Sequence, residues 1–129
     1  GRLGMIWVAY RNHQGFGQEL LKRCETLGLD TKAARAANQK LNAAADAQFV
    51  KLELRLRVAL ANNRADPDRQ LSDMGLRMDT DIKLRVADVL GRAATADEQR
   101  QRCESFLGYW GSVEGSFRFS EYYERLMAL

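Results

Sequence analysis

Apolar residues in this chain recur mainly at spacings of three and four, which is typical of helices that bury one face. The clearest stripe consists of Leu71, Met74, Met78, Ile82, Val86 and Val89. Asp66, Pro67 and Asp68 precede it and fit an N-cap, a first-position proline and a first-turn acid. The pattern therefore predicts a helix that opens at Asp66 and ends around Gly91.

Residues 50–60 alternate between apolar and polar, which by itself favours a β-strand. The segment continues from the alanine-rich stretch 33–47 without glycine or proline, however, and consists of good helix formers. On a helix, one apolar stripe would contain Val50, Leu54 and Val58, and a second, roughly opposite, would contain Leu52, Leu56 and Leu60. We therefore predict one helix that begins at Asp30 or Thr31, ends near Asn63 and lies centrally, between two other helices.

The remaining helices are marked by their ends. A first helix is predicted from about Phe16 to Leu27, because Gly28 is suited to the position that follows a helix C-terminus. The sequence Thr95–Glu98 forms a capping box and opens a helix that runs to about Leu107. Glycines interrupt the chain after that point, and Ser120 can cap a short terminal helix.

Charge spacing supports helices throughout, because an acid four residues before a base is a favourable helical pair. Such pairs are Glu19/Arg23, Glu53/Arg57, Asp73/Arg77, Asp81/Arg85, Asp88/Arg92, Glu98/Arg102 and Glu121/Arg125. We predict an all-α fold in one domain over residues 1–129: a small antiparallel bundle of four main helices plus a short C-terminal helix. The segment Met5–Arg11 fits either an extended strand or a first helical turn.

Composition and charge exclude several classes of protein. With 46% hydrophobic residues and a single proline among 129 residues, the chain has the composition of a globular domain. Its net charge is only +3, and acids and bases are interleaved, which argues against a nucleic-acid-binding stripe. The apolar run Met5–Ala9 is far shorter than the ~20 residues of a membrane span. We expect neither a nucleic-acid partner nor a stable membrane span.

The two cysteines, Cys24 and Cys103, each fall inside a predicted helix. They match no zinc spacing, and a chain with one histidine lacks the four ligands that zinc needs. A structural disulfide, two inert buried thiols and a reactive thiol remain as interpretations. We favour the disulfide, which would tie the first long helix to the last and contribute about 4 kcal/mol. It would also indicate an oxidising compartment.

No other residue pattern indicates a cofactor, a metal or catalysis. His13 lies in a polar stretch before a glycine and is interpreted as a solvated loop residue, although a pair with either cysteine can be drawn. The doublet Asp66/Asp68 is explained by capping. Asp79 and Asp81 point about 200° apart on a helix and cannot chelate one ion. We therefore predict a protein without enzymatic activity.

Aromatic residues concentrate near the two ends of the chain, with seven of the eleven between residues 106 and 123. One interpretation is that both ends pack together as an aromatic cap on the bundle. The other is that a glycine-flanked segment presents aromatics and an arginine to a protein, since Trp, Tyr and Arg dominate interface hot spots. The partner-binding candidates are Tyr109, Trp110, Phe117, Arg118, Phe119 and Tyr122.

Together these features predict a protein-binding domain of a bacterial envelope, periplasmic or otherwise exported, with its signal sequence removed. The placement of one cysteine in an early helix and one in a late helix resembles that in small periplasmic helical proteins, such as secretion pilotins and some immunity proteins. On that view the partner is another protein, such as a toxin or a secreted effector. The alternative is an oligomeric helical adaptor, chaperone or secretion accessory protein, in which the central helix pairs with another copy as a homodimer.

Overall fold

Four helices make up the part of the chain that the computed structural model describes, which is residues 1–110 and residue 128. The helices are α1 (Arg2–Thr26), α2 (Lys32–Asn62), α3 (Pro67–Leu90) and α4 (Ala96–Trp110). Connections of four or five residues join consecutive helices, as expected of antiparallel neighbours. All four helices contact one another, and α1 makes the most extensive contacts, above all with α3 and α2. The all-α fold is confirmed, whereas the short terminal helix predicted after Ser120 falls outside the described residues.

Most helix ends follow the capping chemistry predicted from the sequence. After α1, Gly28 adopts φ +84°, and the amide of Leu29 donates to the carbonyl of Cys24 at 3.1 Å, which closes a Schellman turn. At the start of α3, a carboxylate oxygen of Asp66 accepts from the backbone N–H of Arg69 at 3.3 Å. Thr95 caps α4 in the same way, accepting from the N–H of Glu98 at 3.2 Å.

The predicted start of the first helix at Phe16 is wrong, because α1 begins fourteen residues earlier, at Arg2. Glycines at 15 and 17 weaken the helical signal, since glycine is a poor helix former. Tertiary packing reverses that local preference. A Cβ atom at Gly15 would lie only 2.6 Å from Cδ1 of Ile82, so glycine here permits the close approach of α1 and α3. The undecided segment Met5–Arg11 is therefore helical.

The core lies where the four helices meet, and each helix contributes one face to it. Its fully buried side chains include Trp7, Tyr10, Leu20, Leu52, Val86, Cys24 and Cys103. The buried stripe of α3 ends at Leu90 and not, as predicted, at Val89. Val89 is 39% exposed, while Leu90 is buried, because the buried face continues from Ile82 and Val86 at intervals of four.

The prediction that α2 is sandwiched between two other helices is wrong. Leu52 and Leu56 are buried, and Leu60 packs partly against the same core. The opposite stripe is not covered by α1, α3 or α4, since Val50, Leu54 and Val58 are each 60% exposed. Helix α2 is thus peripheral within the described bundle, with one apolar face in the core and one in solvent.

Candidate functional site

Two of the predicted site residues, Cys24 on α1 and Cys103 on α4, meet in the core. Both are fully buried and both are free thiols that contact each other. Burial, followed by the hydrogen bond with Cys103, raises the pKa of the Cys24 thiol to about 12. A thiol with so high a pKa is protonated and unreactive near neutral pH, which disfavours the reactive-thiol interpretation. The disulfide itself stays a prediction.

The one histidine cannot act with these thiols. His13 lies in α1 and is half-buried, so its assignment to a solvated loop is wrong. It precedes Cys24 by eleven residues on the same helix, and a rise of 1.5 Å per residue separates them by about 16 Å. A nucleophile and its base must come within about 3 Å. The Cys–His pair drawn from the sequence is therefore not formed.

Among the described residues, aromatic residues near the N-terminus pack against α2. Trp7 and Tyr10 pack against Phe49 of α2, with ring centroids 6.2 and 5.0 Å from the Phe49 ring. Tyr109 and Trp110 occupy the last turn of α4. The remaining candidates, Phe117, Arg118, Phe119 and Tyr122, lie outside the described residues. Partner binding by this terminal segment therefore stays a prediction.

A hydrogen-bonded network that the sequence did not reveal fixes how α2 sits on α1. The hydroxyl of Tyr10 donates to Oδ1 of Asp46 at 2.5 Å, and Nε2 of Gln14 donates to the same oxygen at 2.7 Å. One turn earlier on α1, Nε1 of Trp7 donates to Oε2 of Glu53 at 3.3 Å. Burial and the Asp46 carboxylate raise the pKa of Tyr10, which keeps its hydroxyl a donor.

These bonds determine which face of α2 is exposed. Asp46 and Glu53 lie between the buried and the exposed residues of α2, so their bonds to α1 fix the rotation of α2 about its own axis. We call the exposed face the outer stripe, and it consists of Val50, Leu54 and Val58 together with the exposed alanines Ala36, Ala43, Ala47 and Ala61. Three large apolar side chains in a row on one helix are unlike the singly scattered apolar residues of an ordinary surface.

Charged residues border the outer stripe on both sides. On a helix of 100° per residue, the exposed residues Lys40, Lys51 and Arg55 follow one side, which we call the basic edge. The half-buried residues Asp46 and Glu53 follow the other side, the acidic edge. The outer stripe is thus an apolar surface with basic residues along one border and, along the other, two acids and Arg57, which pairs with Glu53.

A groove of about 240 Å³ lies near the acidic edge, between α1, α2 and α3. It is lined by Arg11, Gln14, Gly15, Gln18, Phe49 and Asp79. The guanidinium carbon of Arg11 lies 5.1 Å from the centre of the Trp7 ring, and a Cβ atom at Gly75 would be only 2.7 Å from Arg11 Nη2. Arg11, the cation that lines this groove, therefore already packs α1 against α3.

Comparisons of the chain with models of protein families, with curated proteins and with solved structures found no match. Over residues 1–110, no helix combines the length and the apolar character that crossing a bilayer requires. Within the same part of the chain, no three His, Cys, Asp or Glu side chains converge as a metal site would require.

Proposed function

We propose that this chain is a non-enzymatic protein-binding domain of a bacterial envelope that uses the outer stripe of α2 to bind protein. The observation that carries the proposal is the 60% exposure of Val50, Leu54 and Val58 along one face of a helix whose other face is in the core. Isolated exposed apolar residues are ordinary, but a continuous apolar row bordered by charged residues is typical of an interaction surface.

The geometry also supports a binding role over catalysis. The separation of His13 from both thiols and the raised pKa of Cys24 leave no activated nucleophile among the groups that the sequence offered. The contact between Cys24 and Cys103 supports the proposed disulfide, because the side chains of a bridge must already be neighbours. An oxidised pair would fit a periplasmic or otherwise exported protein.

Two kinds of partner fit this function. One is a foreign protein such as a toxin or a secreted effector, which would make the chain an immunity or inhibitor protein, and the terminal aromatic segment is its candidate site. The other is a further copy of the chain in an oligomeric adaptor, chaperone or secretion accessory protein. The outer stripe suits either partner, because its exposed apolar side chains can be buried against another protein or against a further copy of the chain.

The experiment is a capture assay with the tagged protein in an envelope extract of the source organism. We expect one protein, either the untagged chain or another polypeptide, to be recovered in near-stoichiometric amount and to bind again after purification. The triple variant Val50→Gln/Leu54→Gln/Val58→Gln should recover at least about tenfold less, because interface cores rely on buried apolar anchors.

The matched control for this assay is Leu76→Gln/Leu84→Gln, which alters exposed apolar residues on α3. A second variant, Phe117→Ala/Phe119→Ala, tests the terminal aromatic segment. Equal recovery by the control and the triple variant would contradict the role of the outer stripe, and so would the lack of any rebinding partner. Equal recovery by the wild type and the aromatic variant would remove the aromatic segment as a binding site.

A further inference from the structure

We infer that the partner that covers the outer stripe is an acidic amphipathic helix of another protein. The inference rests on the proposed function, because it gives the chemistry of the partner for the same surface. The apolar side of that helix packs on Val50, Leu54 and Val58, and its carboxylates pair with Lys40 and Lys51.

The spacing of the outer stripe suits a helix as the partner. From position 43 to position 61 its residues follow one another at intervals of four, three, four, four and three. Intervals of three and four are typical of a seam in which side chains of one helix pack between those of another. The row extends about 27 Å at 1.5 Å per residue, so a partner helix of about five turns covers it.

The exposed charges of α2 are all of one sign. Its exposed charged side chains are Lys32, Lys40, Lys51 and Arg55. The other three helices each expose acids and bases together. Because opposite charges across an interface steer association and like charges oppose it, a surface with cations alone selects a partner that carries acids.

Two of these cations lie along the stripe itself. On a helix of 100° per residue, Lys40 and Lys51 point about 40° and 60° away from Leu54, to the same side. They are eleven residues apart, which is about 17 Å along the helix axis. Among the described residues, neither lysine pairs with a carboxylate. Their ammonium groups can therefore pair with a partner, while their aliphatic stems extend the apolar surface.

The two acids of α2 are bonded within the molecule. Oδ1 of Asp46 accepts hydrogen bonds from two side chains of α1. Glu53 accepts one from α1 and also pairs with Arg57. Both carboxylates are half-buried and hold α2 against α1, so they do not offset the charge of the exposed lysines.

This charge distribution favours another protein over a second copy of the chain. A second copy would present to the two lysines a border that carries Arg35 and Arg57 beside the two bonded acids, and so would supply no net negative charge. A bilayer surface is also disfavoured, because helices that bind there are anchored by aromatic side chains. Phe49, the aromatic residue of α2, packs inward against Trp7 and Tyr10.

The charge requirement is tested with the full chain and three synthetic peptides, each held helical by a covalent staple. All three have leucines at intervals of three and four, and their flanking positions are all glutamate, all glutamine or all lysine. By isothermal titration calorimetry, we expect the glutamate peptide to bind with a dissociation constant of about 10 μM, about tenfold below that of the glutamine peptide. Equal affinity for the three peptides, or no binding of the glutamate peptide at roughly 1 mM, would overturn the inference.

The two lysines are tested by the double variant Lys40→Glu/Lys51→Glu. It should raise the dissociation constant of the glutamate peptide at least about tenfold and should bind the lysine peptide instead, because attraction returns when both signs are reversed. The control Lys22→Glu/Lys83→Glu makes the same change of net charge at exposed positions of α1 and α3. Equal weakening in both double variants would reveal only the change in net charge and would contradict the assignment of the two lysines.

The natural partner is tested in the capture assay. We expect the recovered polypeptide to be lost with Lys40→Glu/Lys51→Glu as well as with the triple apolar variant, and to be retained by the control. Crosslinking and mass spectrometry should place the outer stripe against a helix with net negative charge. If recovery depends on the apolar residues but not on the lysines, the proposed function stands and this inference fails. If it depends on neither, both fail.

Two other occupants of the outer stripe would give different results. A second copy would double the 14.6 kDa mass of the chain in sedimentation equilibrium. An anionic lipid surface would appear as co-sedimentation with phosphatidylglycerol vesicles but not with phosphatidylcholine vesicles. Either result, if it is abolished by Leu54→Glu, would overturn the acidic helix as the partner.

Discussion

Replacement of Trp7 by alanine is expected to lower the free energy of unfolding by about 4 kcal/mol. The indole is fully buried, stacks on Phe49 and donates a hydrogen bond to Glu53. Its removal leaves a large cavity at the α1–α2 contact and an unpaired acceptor beside it. The N-terminal half of α1, which continues into the rest of the helix through Gly15 and Gly17, depends on this contact. Urea or guanidinium unfolding followed by circular dichroism measures the loss.

Met5→Ala is the control for this change, because Met5 lies on the same turns of α1 and is 74% exposed. A surface substitution of this kind should alter stability by less than about 0.5 kcal/mol. If Trp7→Ala cost as little as Met5→Ala, the N-terminal half of α1 would not be part of the cooperative fold. The packing of α1 against α2 described above would then be wrong.

Reduction of the oxidised protein is expected to lower its stability by about 4 kcal/mol. A bridge between Cys24 and Cys103 would close a loop of about 80 residues and restrict the unfolded chain accordingly. A thiol count on protein isolated without reductant should find no free sulfhydryl, even after denaturation. Unfolding curves with and without reductant then give the difference in free energy for the same amino-acid sequence.

Cys24→Ala provides the control, since its stability should not respond to reductant. Two free sulfhydryls in the native protein, with unfolding curves that coincide in both conditions, would support inert buried thiols instead. The four-helix fold would be unaffected by that result. The oxidising compartment would lose its main support, because the proposed location depends on the bridge.

Much of the fold can be predicted from the sequence, because its signals are local. The Asp66-Pro67 start of α3, the Thr95 cap of α4 and the Gly28 end of α1 each depend on a few neighbouring residues. The start of α1 could not be predicted in this way. Its glycines oppose a helix locally, and the close approach of the Ile82 side chain from α3 to Gly15 exists only in the folded protein.

The charge pairs illustrate a similar limit. Glu19/Arg23, Glu53/Arg57 and Asp88/Arg92 form at the predicted spacing of four. Other cations find distant partners instead. Arg85 donates to Asn12 of α1 at 3.1 Å, and Arg102 donates to the carbonyl of Leu90. Spacing predicts which residues can pair along a helix, but long arginine side chains also reach groups that only the tertiary fold brings near.

For the candidate site, the sequence predicted two apolar stripes on α2 but not their different environments. Both stripes consist of aliphatic residues at helical spacing, so periodicity alone cannot say which one is buried. The orientation depends on bonds from Tyr10 and Gln14 to Asp46, between residues more than thirty positions apart. The meeting of Cys24 and Cys103, by contrast, follows from placing each in a helix and pairing the first helix with the last.

Helix α2 buries one apolar stripe and exposes the other, which is the surface proposed to bind protein. This arrangement is tested most directly by the unfolding free energies of Leu52→Ala and Leu54→Ala, measured in samples dilute enough to be monomeric. Leu52 is 2% exposed and Leu54 is 60% exposed, although the two are chemically identical and two residues apart. The predicted losses are about 3 kcal/mol for Leu52→Ala and less than about 0.5 kcal/mol for Leu54→Ala. Similar large losses in both variants would mean that the outer stripe is buried within the monomer, and would contradict the account.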